Sequence, residues 1–250
     1  MKTYTLIGMH KYASPKFFYT LAGRLTPWLA ALTAVLLLSG LYFGLFVAPP
    51  DYQQGESYRI MFIHVPAAWM SMFVYMLMAG AGAVVLVWNI KLAEMFAANC
   101  APIGASFTFL ALVTGSLWGK PMWGAWWAWD ARLTSELILF FLYIGYMALQ
   151  ASIDDPRRAA RASAILALVG VVNIPVIHFS VQWWNTLHQP ASVTRMGAPT
   201  IAPIMLVPLL LMALAFTVYF FTVVLMRMRN EILERERHTG WVAEILDSES

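Results

Sequence analysis

Two histidines, His64 and His188, stand where long apolar stretches give way to polar and aromatic residues. His64 precedes Val65 and Pro66, and because proline is tolerated in the first turn of a helix, we expect a helix to begin near His64. A neutral imidazole is a usual axial ligand of haem iron, and two imidazoles from different segments could hold one iron from opposite faces. The alternative for each histidine alone is a hydrogen-bonded residue at a membrane interface.

A dense group of tryptophans occupies the tryptophan segment, Trp118–Asp130. It holds Trp118, Trp123, Trp126, Trp127 and Trp129, out of 11 tryptophans in the chain. An aromatic belt at a membrane interface is one interpretation, but a belt spreads its tryptophans over many helix ends. Here they are concentrated, and Gly119 and Gly124 allow close backbone approach. We therefore predict a flat aromatic surface for a large planar ligand, and its presence beside His64 and His188 favours ligation.

The other histidines are weaker candidates. His178 lies inside an apolar stretch, where an ionisable group is a functional candidate by default, but a histidine bonded to a backbone carbonyl costs little there. We expect His178 to be structural. His10 and His238 fall on the opposite side of the membrane by the charge distribution given below.

Cations near the two histidines could bind the carboxylates of a ligand such as haem. Arg59 and Arg132 are the best placed and Lys120 is weaker, although an arginine near a span end can also extend to lipid headgroups. Asp130 and Glu136 could suggest paired-carboxylate catalysis. We favour instead a cap by Asp130 on the helix that begins at Ala131, or a pair with an arginine.

The composition indicates that these residues are carried by a membrane protein. Of the 250 residues, 60% are hydrophobic and 12% are charged, which is far more apolar than a soluble domain. The basic residues flank apolar runs instead of forming one block, so nucleic-acid binding is excluded as a function class. Cys100 is the single cysteine, and with no C-x-x-C-H run the chain is not a c-type cytochrome.

Six apolar stretches are long enough to cross a membrane, which predicts an all-α bundle of six transmembrane helices. The first is longer than the apolar core of a secretory signal, so we interpret it as a retained span. The stretches are approximately 27–47, 62–88, 101–118, 133–151, 163–183 and 201–226.

Basic residues predict the orientation, because positive charge is retained on the cytoplasmic side. With a cytoplasmic N-terminus, that side carries Lys2, Lys11, Lys16, Arg24, Lys91, Arg157, Arg158, Arg161, Arg227, Arg229, Arg235 and Arg237. The opposite side carries only Arg59, Lys120, Arg132 and Arg195. We therefore expect both termini to be cytoplasmic, and segments 48–61, 119–132 and 184–200 to meet on the outer face. Residues 1–226 form the membrane domain, and residues 227–250 a cytoplasmic tail whose first part continues the last span as a helix.

The tryptophan segment also carries a family resemblance. Trp123-Gly-Ala-Trp-Trp-Ala-Trp-Asp130 matches the pattern W-G-x-x-W-x-W-D of the haem-handling WWD-domain membrane proteins. Further sequence segments, from about residue 52 to residue 188, resemble the haem exporter protein C (CcmC) family of bacterial cytochrome c maturation. They comprise Ile63-His-Val-Pro66, Trp118-Gly-Lys-Pro-Met122, Asp130-Ala-Arg-Leu-Thr-Ser-Glu136 and Trp183-Trp-Asn-Thr-Leu-His188.

The resemblance implies a multi-pass inner-membrane protein that holds haem b at its periplasmic face and is not an enzyme. His64 and His188 correspond to the family's axial ligands, and Trp123 to Asp130 to its WWD residues. The implied partners are the haem chaperone CcmE, the small subunit CcmD, the ATP-driven transporter pair CcmA and CcmB, and membrane lipid. The alternative is a WWD-type haem lyase or another membrane haem enzyme. An oxidase would place histidines deep in several spans, and a permease would carry broken helices or mid-membrane charges.

Overall fold

The computed structural model describes residues 14–189, 192–193 and 197–249. Lys2, Lys11 and Arg195 of the charge distribution, together with His10, lie outside these residues. Within them the chain forms long helices: α1 Pro15–Tyr42, α2 Met61–Trp88, α3 Lys91–Trp123, α4 Ala131–Ser152, α5 Pro156–Gly170, α6 Asn173–Trp183, α7 Pro203–Arg235 and α8 Gly240–Glu249.

Among the described residues, six helical stretches are long and apolar enough to cross a membrane, which confirms the predicted architecture. A π-helical turn, Phe43–Val47, extends α1, and a 3-10 turn, Ser57–Ile60, precedes α2. The second span therefore begins before His64, and Pro66 lies inside α2 rather than in its first turn. The helix α7 continues without a break to Arg235, as predicted for the start of the tail.

The third span was predicted too short. Helix α3 continues through Gly119 and Pro121 and ends at Trp123. Because Pro121 has no backbone N–H, one carbonyl of the preceding turn loses its helical hydrogen bond. Near the exposed end of the helix this carbonyl can bond to solvent instead. The terminator is Gly124, whose left-handed φ of 74° and N–H bond of 3.1 Å to the Lys120 carbonyl form a glycine C-cap. Trp118 and Trp123 are consequently helical, and the connecting loop is shorter than the predicted 119–132.

The fifth span is divided into α5 and α6. Pro175 has no N–H to offer the Val171 carbonyl, so the helical ladder cannot run through this point unbroken. The Asn173 side chain donates a 2.8 Å hydrogen bond to the Ser135 carbonyl of α4, which holds the break against its neighbour. After the break, α6 and the segment that follows it run toward the start of α4.

Helices α2 and α3 form the centre of the bundle, packing most extensively against each other, while α1 lies against α7. Polar contacts tie α2 to α4, where Ser71 donates a 2.7 Å bond to Glu136 and the Tyr143 hydroxyl donates a 2.7 Å bond to the Ser71 carbonyl. Such bonds hold helices together in an apolar environment. Glu136 therefore has a structural partner and is not paired with Asp130.

The packing of α3 on α4 predicts a difference between two glycines. A Cβ atom at Gly104 would lie 2.1 Å from Cζ of Tyr143, whereas a Cβ at Gly80 would have nothing within 4 Å. Gly104→Ala should therefore displace Tyr143 and destabilise the protein by about 1–3 kcal/mol, as overpacking does. Gly80→Ala should be neutral or slightly stabilising. Thermal unfolding in detergent measures both, and equal melting temperatures would contradict this packing.

The connecting segments of one end of the bundle meet as predicted. Trp118 Nε1 donates a 2.9 Å bond to the Gln54 side chain, and the Thr186 hydroxyl bonds to the Asp130 carboxylate. At the opposite end, ion pairs join Arg235 to Glu94 and Lys91 to Glu236. The parts of these three segments that the structure describes therefore lie at one end of the bundle, and the side of the membrane that this end faces stays a prediction.

Candidate functional site

The imidazole rings of His64 and His188 lie close together at the end of the bundle where these segments meet. Their ring centroids are 6.4 Å apart, and the ring planes are inclined by 36°. Two imidazoles that each bind one metal ion through a nitrogen about 2 Å away have ring centres roughly 6 Å apart. The separation of the pair therefore matches two ligands on opposite sides of a single metal ion.

On both rings the hydrogen bonds to described residues are made by the same nitrogen, Nδ1. His64 Nδ1 lies 3.0 Å from the Ala111 carbonyl of α3, and His188 Nδ1 lies 2.9 Å from the Gln189 carbonyl. Because a carbonyl only accepts, each Nδ1 carries the proton and each neutral ring keeps the lone pair on Nε2. This outer bond to a carbonyl is the usual way in which a metal-binding imidazole is oriented.

His188 is held in its neutral form by its surroundings. Burial lowers its pKa from the ordinary value, and the positive charge of Arg132 acts in the same direction. The Gln189 carbonyl and the Asp130 carboxylate oppose the shift without reversing it. A lowered pKa means that the ring is uncharged at neutral pH, as ligation of iron requires.

The approach of α3 to His64 depends on a glycine. A Cβ atom at Gly115 would lie 3.0 Å from Cε1 of His64, which is tighter than an ordinary contact. Thr114, on the same turn of α3, places its hydroxyl oxygen 3.1 Å from His64 Nδ1. The imidazole of His64 is thus set by two rigid helices.

Two tryptophans flank the histidine pair. Trp118 contacts His64 edge to face with ring centroids 5.8 Å apart, and Trp123 lies 6.4 Å from His188 by the same measure. Trp123 folds back over Gly119, where a Cβ would lie 3.0 Å from its ring. Of the five tryptophans in the segment, the two at the end of α3 therefore each lie beside one candidate ligand.

The remaining tryptophans do not form one flat surface, so that prediction was wrong. The planes of Trp127 and Trp129 meet at 74°, with ring centroids 5.5 Å apart. Edge-to-face contact is the more favourable arrangement for two aromatic rings in a short loop. Trp126 and Trp129 are 56% and 79% exposed, and the Lys120 ammonium lies 5.8 Å from the Trp126 ring centroid. The loop presents aromatic side chains outward instead of a stacked layer.

Asp130 joins the loop to the helix and to the His188 segment. One carboxylate oxygen accepts a 2.8 Å bond from the Leu133 N–H, which confirms the predicted cap of α4. The other accepts a hydrogen bond from the Thr186 hydroxyl. Thr186 in turn accepts a 3.0 Å bond from the His188 N–H.

The two arginines predicted beside the site have different surroundings. Arg132 is partly buried and donates a 2.9 Å bond to the Ile177 carbonyl of α6, and its charge reaches His188. Arg59 pairs with Glu56 and donates a 2.6 Å bond to the Gly44 carbonyl. The structure therefore brings Arg132 to the histidine pair, while Arg59 is engaged by other partners.

The rival histidine lies on a different surface. His178 is on the exposed side of α6, whose buried side carries Ile174, Ile177 and Ser180. Its ring contacts Phe179 edge to face at 4.7 Å between centroids. His238 lies at the other end of the bundle, where Arg237 donates to its Nε2.

The donor set suits a metal that brings most of its own ligands. In the part of the chain that the structure describes, no group of three or more His, Cys, Asp or Glu side chains could hold a metal ion. A bare zinc ion needs three or four protein ligands, whereas a porphyrin already supplies four nitrogens to its iron. Two opposed imidazoles therefore fit haem. The buried indole N–H of Trp127 also lacks a partner among the described residues and could serve a polar group of the ligand.

Several residues of this site were missed by sequence reasoning. Gln54, Thr114, Gly115 and Thr186 each contact a tryptophan or histidine of the site. They are ordinary small or polar residues, and among them Thr186 alone lies in a segment, Trp183–His188, that carries the family resemblance.

Comparison with known proteins gives a consistent family. The family model described as Heme exporter protein C matches residues 8–243. A curated protein named Heme exporter protein C from Bradyrhizobium diazoefficiens is 60% identical over 92% of this chain and 86% of its own length. One of the same name from Escherichia coli is 53% identical over 95% of this chain and 96% of its own. A putative cytochrome c biosynthesis ccmC-like mitochondrial protein from Marchantia polymorpha is 45% identical over 83% of this chain and 86% of its own.

Proposed function

Because this chain belongs to the haem exporter protein C family, we propose that it binds haem b between His64 and His188 and delivers it to the chaperone CcmE. Its family and its six spans make it a multi-pass inner-membrane protein of haem handling for cytochrome c maturation. The proposal adds the two axial ligands, the recipient, and a periplasmic position for the site. CcmD, CcmA and CcmB are the further partners it implies.

The opposed histidine pair is the observation that carries this proposal. The two imidazole ring centroids are 6.4 Å apart. Because both Nδ1 atoms bond to carbonyls, the two Nε2 lone pairs are left for one iron. Haem is the cargo, so the site must hold it firmly enough to collect it and release it to a partner. His64 is fixed between α2 and α3, whereas His188 lies in an irregular segment, and ligand exchange is therefore easiest at His188.

The surrounding residues divide between holding the cargo and presenting it. Trp118 and Trp123 give apolar contact beside the two ligands. Arg132 is the cation best placed for a haem propionate, since its charge already acts at His188. Arg59 is less suited to bind a propionate because it already pairs with Glu56 and donates to the Gly44 carbonyl. Trp126 and Trp129 are exposed and are suited to contact the chaperone.

Delivery can be tested by measuring the haem carried by CcmE in cells. We expect the chaperone to acquire haem when it is expressed with this protein, and to acquire far less with the double variant His64→Ala, His188→Ala. Membrane levels of the protein provide the normalisation. Equal loading of CcmE with the wild type and the double variant would contradict delivery through this site.

The sidedness of the site is a separate prediction. Positive charge flanking the spans predicts that both termini lie in the cytoplasm and the tryptophan segment outside. A reporter fused after Ser250 should be active only if it functions in the cytoplasm, and one inserted after the exposed Gln53 should be active only if it functions outside. The opposite pattern would reverse the orientation.

A further inference from the structure

We propose that Thr186 is a positioning residue that holds His188 in place for the iron by linking it to Asp130. The inference rests on the proposed function, because it concerns how the second axial ligand is fixed. The link consists of two hydrogen bonds, Thr186 hydroxyl to Asp130 carboxylate and His188 N–H to Thr186 hydroxyl.

The direction of the two bonds follows from the chemistry of the groups. A carboxylate only accepts, so the single hydroxyl proton of Thr186 is directed to Asp130 Oδ2. The lone pairs of the same oxygen remain available, and one accepts the His188 N–H at 3.0 Å. Thr186 therefore uses its hydroxyl as donor and acceptor at once.

Asp130 is a firm anchor for this link. Its other oxygen caps α4 through the Leu133 N–H at 2.8 Å, so the carboxylate is fixed relative to a membrane-spanning helix. Arg132, two residues further along, donates to the Ile177 carbonyl of α6 and holds the two helices together nearby. Through Thr186 and Asp130, the backbone of His188 is thus fixed relative to the start of α4.

The two ligands differ in how much they need such an anchor. His64 lies in α2, and its ring bonds to the Ala111 carbonyl of α3. The described residues on either side of His188, 184–189 and 192–193, form no regular helix, and the ring bond of His188 goes to Gln189 in the same segment. That bond orients the ring relative to its own backbone and does not fix its distance from His64. The hydrogen bond from the His188 N–H to the Thr186 hydroxyl fixes this distance.

A pair of substitutions at one position isolates the hydroxyl. Thr186→Val keeps the branched shape and removes the hydrogen bonds, whereas Thr186→Ser keeps the hydroxyl and removes a methyl group. We expect Thr186→Val to shift bound haem from low spin toward high spin and to speed haem loss to a soluble haem acceptor roughly 10- to 100-fold, the usual cost of losing an outer-shell partner. Thr186→Ser should resemble the wild type in both measurements.

A substitution at the anchor gives an independent test. Serine caps helices about as well as aspartate, so Asp130→Ser should preserve α4. The shorter side chain has one oxygen in place of two and lacks Oδ2, the atom that accepts the Thr186 proton, so the spin state should shift in the same direction as in Thr186→Val. Added imidazole should restore the low-spin spectrum of both variants if a displaced His188 is the cause.

Each outcome separates this inference from the proposed function. A wild-type protein without low-spin haem would contradict the proposed function itself. A low-spin wild type together with an unchanged spectrum and haem-loss rate in Thr186→Val would overturn the positioning role alone. A lower melting temperature with an unchanged spectrum, or equal defects in Thr186→Ser and Thr186→Val, would also overturn it, since the hydroxyl would then have only a structural role or none.

Discussion

Replacing either His64 or His188 with alanine is expected to convert a six-coordinate low-spin haem into a five-coordinate, weakly held one. In the proposed site each ring supplies one Nε2 to the iron, so the remaining histidine would bind haem from one side only. Loss of an outer-shell partner alone weakens metal sites 10- to 100-fold, so loss of a ligand should cost roughly 100-fold or more in haem retention. The absorption spectrum and the haem content of the purified protein measure both effects.

His178→Ala is the matched control for this experiment. It removes an imidazole from the same stretch of chain, but from the exposed side of α6. We expect it to leave the spectrum unchanged. Loss of the spectrum in His178→Ala, with retention in His188→Ala, would show that the ligand assignment is wrong.

Alanine in place of Trp123 and alanine in place of Trp129 are expected to impair different steps. Trp123 adjoins His188 and folds over Gly119, so its loss should reduce the haem retained by the purified protein. Removing a buried ring contact costs about 1–3 kcal/mol, which corresponds to roughly 5- to 150-fold in affinity. Trp129 is 79% exposed, so its loss should spare haem retention and reduce loading of CcmE.

The measurement is haem retained and haem delivered, each per molecule of membrane-inserted protein. Trp129→Phe keeps an exposed aromatic ring and should deliver more haem than Trp129→Ala. If Trp123→Ala and Trp129→Ala both retained and delivered haem like the wild type, the segment would be an ordinary aromatic belt. The proposal would then rest on the two histidines alone.

The fold could be predicted from sequence wherever a strong local signal acts alone. Apolar runs bounded by charge identified the six spans, and Asp130 before a helical run identified its cap. The end of α3 was misplaced because the apolar run stops at Trp118, whereas the helix continues through Lys120 and Pro121 to Trp123. The division of the fifth span follows from Pro175, a signal that the length of an apolar run does not include, whereas the bond from Asn173 to the Ser135 carbonyl of another helix could not be read from the sequence.

The candidate site was predictable in its residue types and not in its geometry. Tryptophan and histidine are distinctive in sequence, and their shared side of the membrane followed from the charge distribution. The inclination of the Trp127 and Trp129 planes depends on how a short loop packs, which composition does not encode. Gly115 acts through a tertiary contact with His64. Thr186 acts through a long-range bond to Asp130 together with a local bond to the His188 N–H, and the sequence pattern does not reveal either role.

Electron paramagnetic resonance of the ferric haem-bound protein, prepared with isotopically labelled histidine, tests the central claim most directly. Opposed imidazoles on one iron predict a low-spin signal with hyperfine coupling to two axial histidine nitrogens. One of these couplings should disappear in His188→Ala. A high-spin signal from the wild type, or a low-spin signal that keeps both histidine couplings when His64 or His188 is replaced, would contradict haem binding by this pair.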